Sequence, residues 1–205
     1  MPQVRCFFFF WISLSMSFVT RGQEALIQVN KSLELLKRSE LVEARKELSI
    51  LETIPIEDLT EQLADPTQAK AFWVNYYNAI VQLVLTEDPQ LYGDKGSFFS
   101  TERVLLAGQK LSLDDIEHGI IRGSKHKYTL GYTEKVFVND FEEAFRLPEL
   151  DYRVHFALNC GAVSCPPVVI YETNKLDRQL DQSTLRYLQR EVRYDRDKDE
   201  ILIPK

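Results

Sequence analysis

The chain has 205 residues, 44% of them hydrophobic, so it can bury a core without metal or disulfide staples and is not of disordered composition. A formal net charge of -6 offers no electrostatic footprint for a polyanion, which excludes nucleic acid as an expected partner. Three cysteines are too few for a disulfide-rich scaffold, and nothing in the cysteine and histidine spacing supplies a zinc finger or calls for a cofactor.

Residues 1–22 stand apart from the rest. Arg5 precedes an apolar run from Cys6 to Val19 with serines interspersed, followed by Arg21, Gly22 and the polar Gln23 and Glu24. A positive start and an apolar stretch of this length have the form of a signal peptide and are short for a membrane-spanning helix. The expected product is an exported chain, periplasmic or extracellular, with residues 23–205 as one globular domain. Gly22 provides a small residue before Gln23, but there is no Ala-x-Ala pattern, so an uncleaved N-terminal anchor with membrane contact is the alternative. Cleavage would remove Arg5 and Arg21 and move the formal charge from -6 to -8.

In residues 24–51, Leu26, Val29, Leu33 and Leu36, then Leu41, Ala44, Leu48 and Leu51, recur with helical spacing and predict one or two helices, interrupted at Pro55. The strongest helix signal follows. Asp65 is a cap, Pro66 suits the first helical position, and Gln68 stands three residues after the cap. The run over residues 69–86 would span about 27 Å and is apolar nearly all round, as a central core helix should be. Asn75, Asn78 and Gln82 form a polar stripe on it, and buried amides need partners, so they are expected to bind the backbone of a neighbouring segment.

Residues 87–109 read as a long packed loop with one short helix. Ser112 and Asp115 cap a helix over residues 113–121 that closes near Gly123 and sets Asp114, His118 and Arg122 on one face. Residues 129–139 read as irregular or β structure, and residues 141–145 as a short helix. Val154, Phe156 and Leu158 alternate with His155, Ala157 and Asn159, the pattern of a strand, and residues 168–171 suggest a second. Asn174 and Asp177 open a last helix with Leu176, Leu180, Thr184, Tyr187 and Leu188 inward. A hairpin around residues 197–199 ends the chain. The fold class expected is α+β: a helix-rich single domain with a long central core helix and a small antiparallel β-sheet.

The chemistry concentrates in residues 159–167, Asn-Cys-Gly-Ala-Val-Ser-Cys-Pro-Pro. A cysteine that loses its proton is a strong nucleophile, and it needs a base or a positive partner to do so. Cys160 is followed by Gly161, which permits a tight turn with exposed amides. On a continuous strand His155 would lie roughly 16 Å from Cys160, too far for a hydrogen bond. His155 would then serve Cys165 across the turn, and Cys160 would take an external base. His118 is the candidate for that base, oriented by Asp114 or Glu117, while His126 between two lysines reads as solvent-exposed. Two structural readings stand beside these: a buried pair of small apolar side chains, or a disulfide.

Three blocks in order carry a resemblance: residues 71–79 (AFWVNYYNA), 111–122 (LSLDDIEHGIIR) and 153–167 (RVHFALNCGAVSCPP). Together they resemble domain of unknown function family 547 over roughly residues 55–205, a family common among bacterial proteins with export signals. The resemblance draws attention to Asn75, Asn78, Glu117, His118, Arg122, His155, Asn159, Cys160 and Cys165. Tyr152 departs from the pattern, standing where proline usually precedes the arginine.

Two functions are compatible with these residues. The first is a cysteine-dependent hydrolase or acyltransferase acting on an amide or thioester, of cysteine-peptidase-like or transglutaminase-like fold. In it Cys160 or Cys165 attacks, His118 or His155 is the base, Glu117 orients the histidine, and Asn159 or an amide near Gly161 binds the oxyanion. The second is a non-catalytic exported binding or accessory domain with structural cysteines. Substrate and protein partner are not specified by the sequence.

Overall fold

The computed structural model describes residues 22–125, 133, 135, 137–162 and 165–202. The leader read over residues 1–22 therefore lies, apart from Gly22, outside the described residues, as do His126 and much of the stretch 129–139.

Helix α1 (Glu24–Lys37) and α2 (Leu41–Ser49) pack against each other through Val29, Leu33, Ala44 and Leu48, all buried. Ser39 makes the corner between them in a left-handed conformation. After a 3-10 turn (Ile50–Thr53), Pro55 starts the short α3 (Ile56–Gln62) instead of merely ending what precedes it. Helix α4 (Pro66–Glu87) is the 22-residue centre of the molecule. Asp65 caps it by accepting from the Gln68 amide at 2.8 Å. The Gln68 side chain does not complete a capping box; it donates to the carbonyls of Gly22 and Gln62 and ties α3 to the start of α4.

Fourteen of the α4 side chains are buried, including Phe72, Trp73, Tyr76 and Tyr77. Burying a side chain such as Phe72 contributes about 1.5–3 kcal/mol, so this helix anchors the core. Trp73 meets Phe141 and Phe145 of α6 (Asp140–Phe145) edge-on, with centroids 6.4 and 5.8 Å away. A short α5 (Lys95–Ser100) and the hairpin β1 (Val104–Leu106) and β2 (Gln109–Leu111) occupy the stretch read as loop. Helix α7 (Leu176–Glu191) buries Leu176, Leu180 and Ser183. The hairpin of β3 (Arg193–Asp195) and β4 (Glu200–Leu202) follows it, as expected. Among the described residues no helix is long and apolar enough to cross a membrane. The domain is thus helix-rich α+β, with two separate two-stranded antiparallel pieces instead of one small sheet.

Two expected strands are absent. Residues 154–159 do not alternate: Tyr152–Phe156 is a 3-10 helix, begun where the Asp151 carboxylate accepts from the Arg153 amide at 3.1 Å. Its buried residues Val154, Ala157 and Leu158 follow a helical spacing of three and four. Residues 168–171 form no strand and pair with none among the described residues. Their backbone groups go to side-chain amides instead. Asn75 accepts from Tyr171 N at 2.9 Å and donates to Tyr171 O at 2.8 Å. Gln179 donates to Ile170 O and accepts from Glu172 N, both at 2.8 Å. The amide side chains of α4 and α7 thus stand in for a neighbouring strand.

Asp151 also holds the last third of the chain to α4. It accepts from Lys70 at 2.9 Å and from Arg153 Nε at 2.9 Å, and Arg153 reaches on to the exposed Asp177 and Asp181. Burial alone would raise the Asp151 pKa, but the hydrogen bonds from Arg153 and Lys70 outweigh it and hold the carboxyl well below the usual range. Stability from this depressed group is present above the unfolded aspartate value of about 3.9 and is lost as pH falls through the lower native value. Asp151→Asn should cost about 2–3 kcal/mol near neutral pH, since two cations lose their central anion. Urea denaturation of both proteins should show the gap closing below about pH 4.

Candidate functional site

The first wall of the site is the segment Asp115–Ile121, opened by a reciprocal cap. Ser112 donates to Asp115 from its amide (2.9 Å) and its hydroxyl (2.7 Å), and the Asp115 amide donates back to Ser112 Oγ at 3.0 Å. The segment winds as a π-helix: the Arg122 amide donates to Glu117 O at 2.9 Å, five residues back. One extra residue per turn changes which side chains share a face, and such turns are frequent at functional sites. His118 and Arg122 are both buried, and Arg122 Nη1 lies 2.9 Å from His118 Nδ1. A guanidinium can only donate, so Nδ1 accepts and the ring proton belongs on Nε2, which lies 3.6 Å from Asp114. Glu117, one residue earlier, accepts from the Tyr77 hydroxyl at 3.2 Å. Burial and then the Glu117 charge push the Tyr77 hydroxyl well above its ordinary pKa, so it remains a donor.

The second wall is the cysteine segment, which α4 clamps through one side chain. Asn78, fully buried, donates to Ala157 O at 2.9 Å and accepts from Asn159 N at 2.8 Å. Asn159 then straps the loop on both sides, donating to Pro166 O at 2.8 Å and accepting from Gly161 N at 2.9 Å. Gly161 has a φ of +84°, a backbone conformation that favours glycine, and a Cβ there would press on the end of the Leu85 side chain. The loop brings the two sulfurs within disulfide-bonding distance, with Cα atoms 6.3 Å apart. The Cys160 amide donates to Cys165 Sγ at 3.2 Å.

Between the walls lies a cleft of about 320 Å³. Tyr77, Glu117, His155, Cys160 and Cys165 supply its chemistry; Phe156, Leu158, Pro166 and Tyr187 supply apolar surface. The Tyr187 ring packs against Phe156 with centroids 5.2 Å apart. His155 is exposed on one side, yet the partial burial of its ring, and then the Arg122 charge, lower its pKa below the ordinary 6.5.

Of the residues singled out from sequence, the structure brings Glu117, His155, Cys160 and Cys165 to one cleft. His118 is not in its lining and faces Arg122 and Asp114 instead. Asn159 holds the loop through both ends of its amide. The 16 Å separation expected for His155 and Cys160 assumed a continuous strand; His155 instead lies in a 3-10 helix, and both residues line the same cleft. Tyr77 and Tyr187 were missed as cleft residues. Tyr77 directly precedes Asn78, and that adjacency is the available signal; the helical spacing of Tyr187 points to the core, and it is half-buried. Among the described residues no group of three or more His, Cys, Asp or Glu side chains is placed to hold a metal ion.

Comparison with known proteins places the chain in a family. The family described as "Protein of unknown function, DUF547" covers residues 60–188. No curated protein and no solved structure matches the chain.

Proposed function

The chain belongs to the DUF547 family of unknown function, and on that premise we propose that it is an exported cysteine-dependent hydrolase or acyltransferase acting on an amide or thioester in its dithiol form. The observation that carries this reading is the meeting of two sulfurs, an imidazole and a carboxylate in one cleft that also has apolar surface for an acyl group. Cys165 is the better nucleophile, because the Cys160 amide already points at its sulfur and favours the thiolate. His155 replaces His118 as the base, since His118 is engaged by Arg122 and lies outside the cleft lining. An external thiol or phosphine reduces the pair. The Cys165 proton then passes to His155, the thiolate attacks the carbonyl carbon, and His155 returns the proton to the leaving amine or thiol. Water, deprotonated by His155, releases the acid and the free thiol.

A lowered His155 pKa leaves the ring neutral and able to accept a proton near neutral pH. Turnover of S-phenyl thioacetate by the phosphine-reduced protein should fall only as pH drops through that lowered value, so the acid limb lies below about 6.5. His155→Gln should reduce kcat/KM by about 10²–10⁴. A reduced protein no faster than the oxidised one would overturn the reading. A second reading, a non-catalytic exported binding or accessory domain with structural cysteines, is favoured by the pairing distance of the sulfurs. It expects the reduced protein to be inert.

A further inference from the structure

Beside the cysteine cleft lies a second hollow of about 220 Å³ along α7. Its floor is apolar, formed by Pro166, Pro167 and Val169, and Arg186 and Arg190, one helical turn apart, stand on its wall. Among the described residues no carboxylate lines it. Pro166 and Tyr187 line both hollows, so a ligand crossing the Tyr187 ring passes from one to the other. Arg190 is held at the rim over the Tyr187 ring, 5.6 Å from its centroid, and beside Glu191 at 2.6 Å. Arg186 differs. Among the described residues no carboxylate stands within ion-pair distance of it, although the chain as a whole carries a formal charge of -6.

A cation with no ion-pair partner among the described residues, set beside an apolar floor and next to the cysteine cleft, is complementary to a carboxylate on an aliphatic stem. A small bare anion would leave the prolines and Val169 unused. We propose that this groove is a carboxylate subsite that receives the acidic end of an acyl substrate while its amide or thioester lies at Cys165. Its use in turnover rests on the hydrolase reading above; its binding of the carboxylate does not.

The two are separated by measuring them apart. In NMR titrations of the oxidised protein, adipic acid monoanilide should bind about tenfold more tightly than its methyl ester, a preference that weakens with salt. In Arg186→Gln the difference should shrink to about twofold, and in the Arg186→Gln, Arg190→Gln double variant it should vanish. Both positions are exposed, so the variants should fold. Equal binding of acid and ester by the unaltered protein, or a preference that survives in the double variant, overturns the subsite. The reduced protein is then given the S-phenyl monothioester of adipic acid. Absence of turnover with the binding preference intact overturns the catalytic reading and leaves the subsite standing.

Discussion

Replacing Asn78 by leucine is expected to remove about 2–5 kcal/mol of folding stability. The side chain is fully buried and closes two hydrogen bonds at once, one to Ala157 O and one from Asn159 N. Leucine has the same branching but a larger volume, which adds to the cost in a packed core, and it leaves a carbonyl and an amide without partners. Each orphaned group costs roughly 1–3 kcal/mol when water cannot replace the partner. The gain in helix propensity, below about 0.7 kcal/mol, does not offset this. Urea denaturation should show the loss, and hydrogen exchange should show the Asn159 amide unprotected while the α4 amides remain slow. A loss under about 1 kcal/mol would mean that water enters and that α4 does not hold the cysteine segment through this residue.

Asn78 and its neighbour on the same helix, Asn75, show how far the sequence could be read. A polar stripe on an apolar helix required backbone partners; Asn75 and Asn78 have them, while Gln82, only half-buried, makes no side-chain hydrogen bond among the described residues. The caps at Asp65 and Ser112 and the last hairpin were also legible, because each depends on neighbours a few residues apart. The strands read over residues 154–159 and 168–171 were not. Val154, Phe156 and Leu158 suit a strand, and Val154, Ala157 and Leu158 suit a helical turn; the Asp151 cap selects the second. Residues 168–171 have the composition of a strand, but their backbone partners are side chains: Gln179, nine residues on from Ile170, and Asn75, 96 residues back from Tyr171. The choice between His118 and His155 was hidden for the same reason. It depends on which side chains line the cleft: His155 and Glu117 do and His118 does not, a distinction that no local spacing in the sequence carries.

The two cysteines, equivalent in composition, should behave very differently once reduced. Cys165 receives the Cys160 amide hydrogen bond, which stabilises a thiolate, and Cys160 receives no such bond among the described residues. Iodoacetamide in mildly acidic buffer, read peptide by peptide, should therefore label Cys165 about tenfold faster or more. Cys165→Ser should lower thioester turnover on the order of a thousandfold or more, because the attacking atom is gone. Cys160→Ser should do the reverse of what a structural cysteine predicts: with no partner to seal Cys165, the variant should turn over without added reductant. The stability change is diagnostic in the other direction. Closing a loop this short is worth about 2 kcal/mol in the chain-entropy account, so both variants and the reduced protein should lose a similar amount. Equal losses of stability, with activity only where Cys165 is free, would assign the chemistry to Cys165 and the sealing role to Cys160. Faster labelling of Cys160 would reverse that assignment, and slow, equal labelling of both would leave only the structural role.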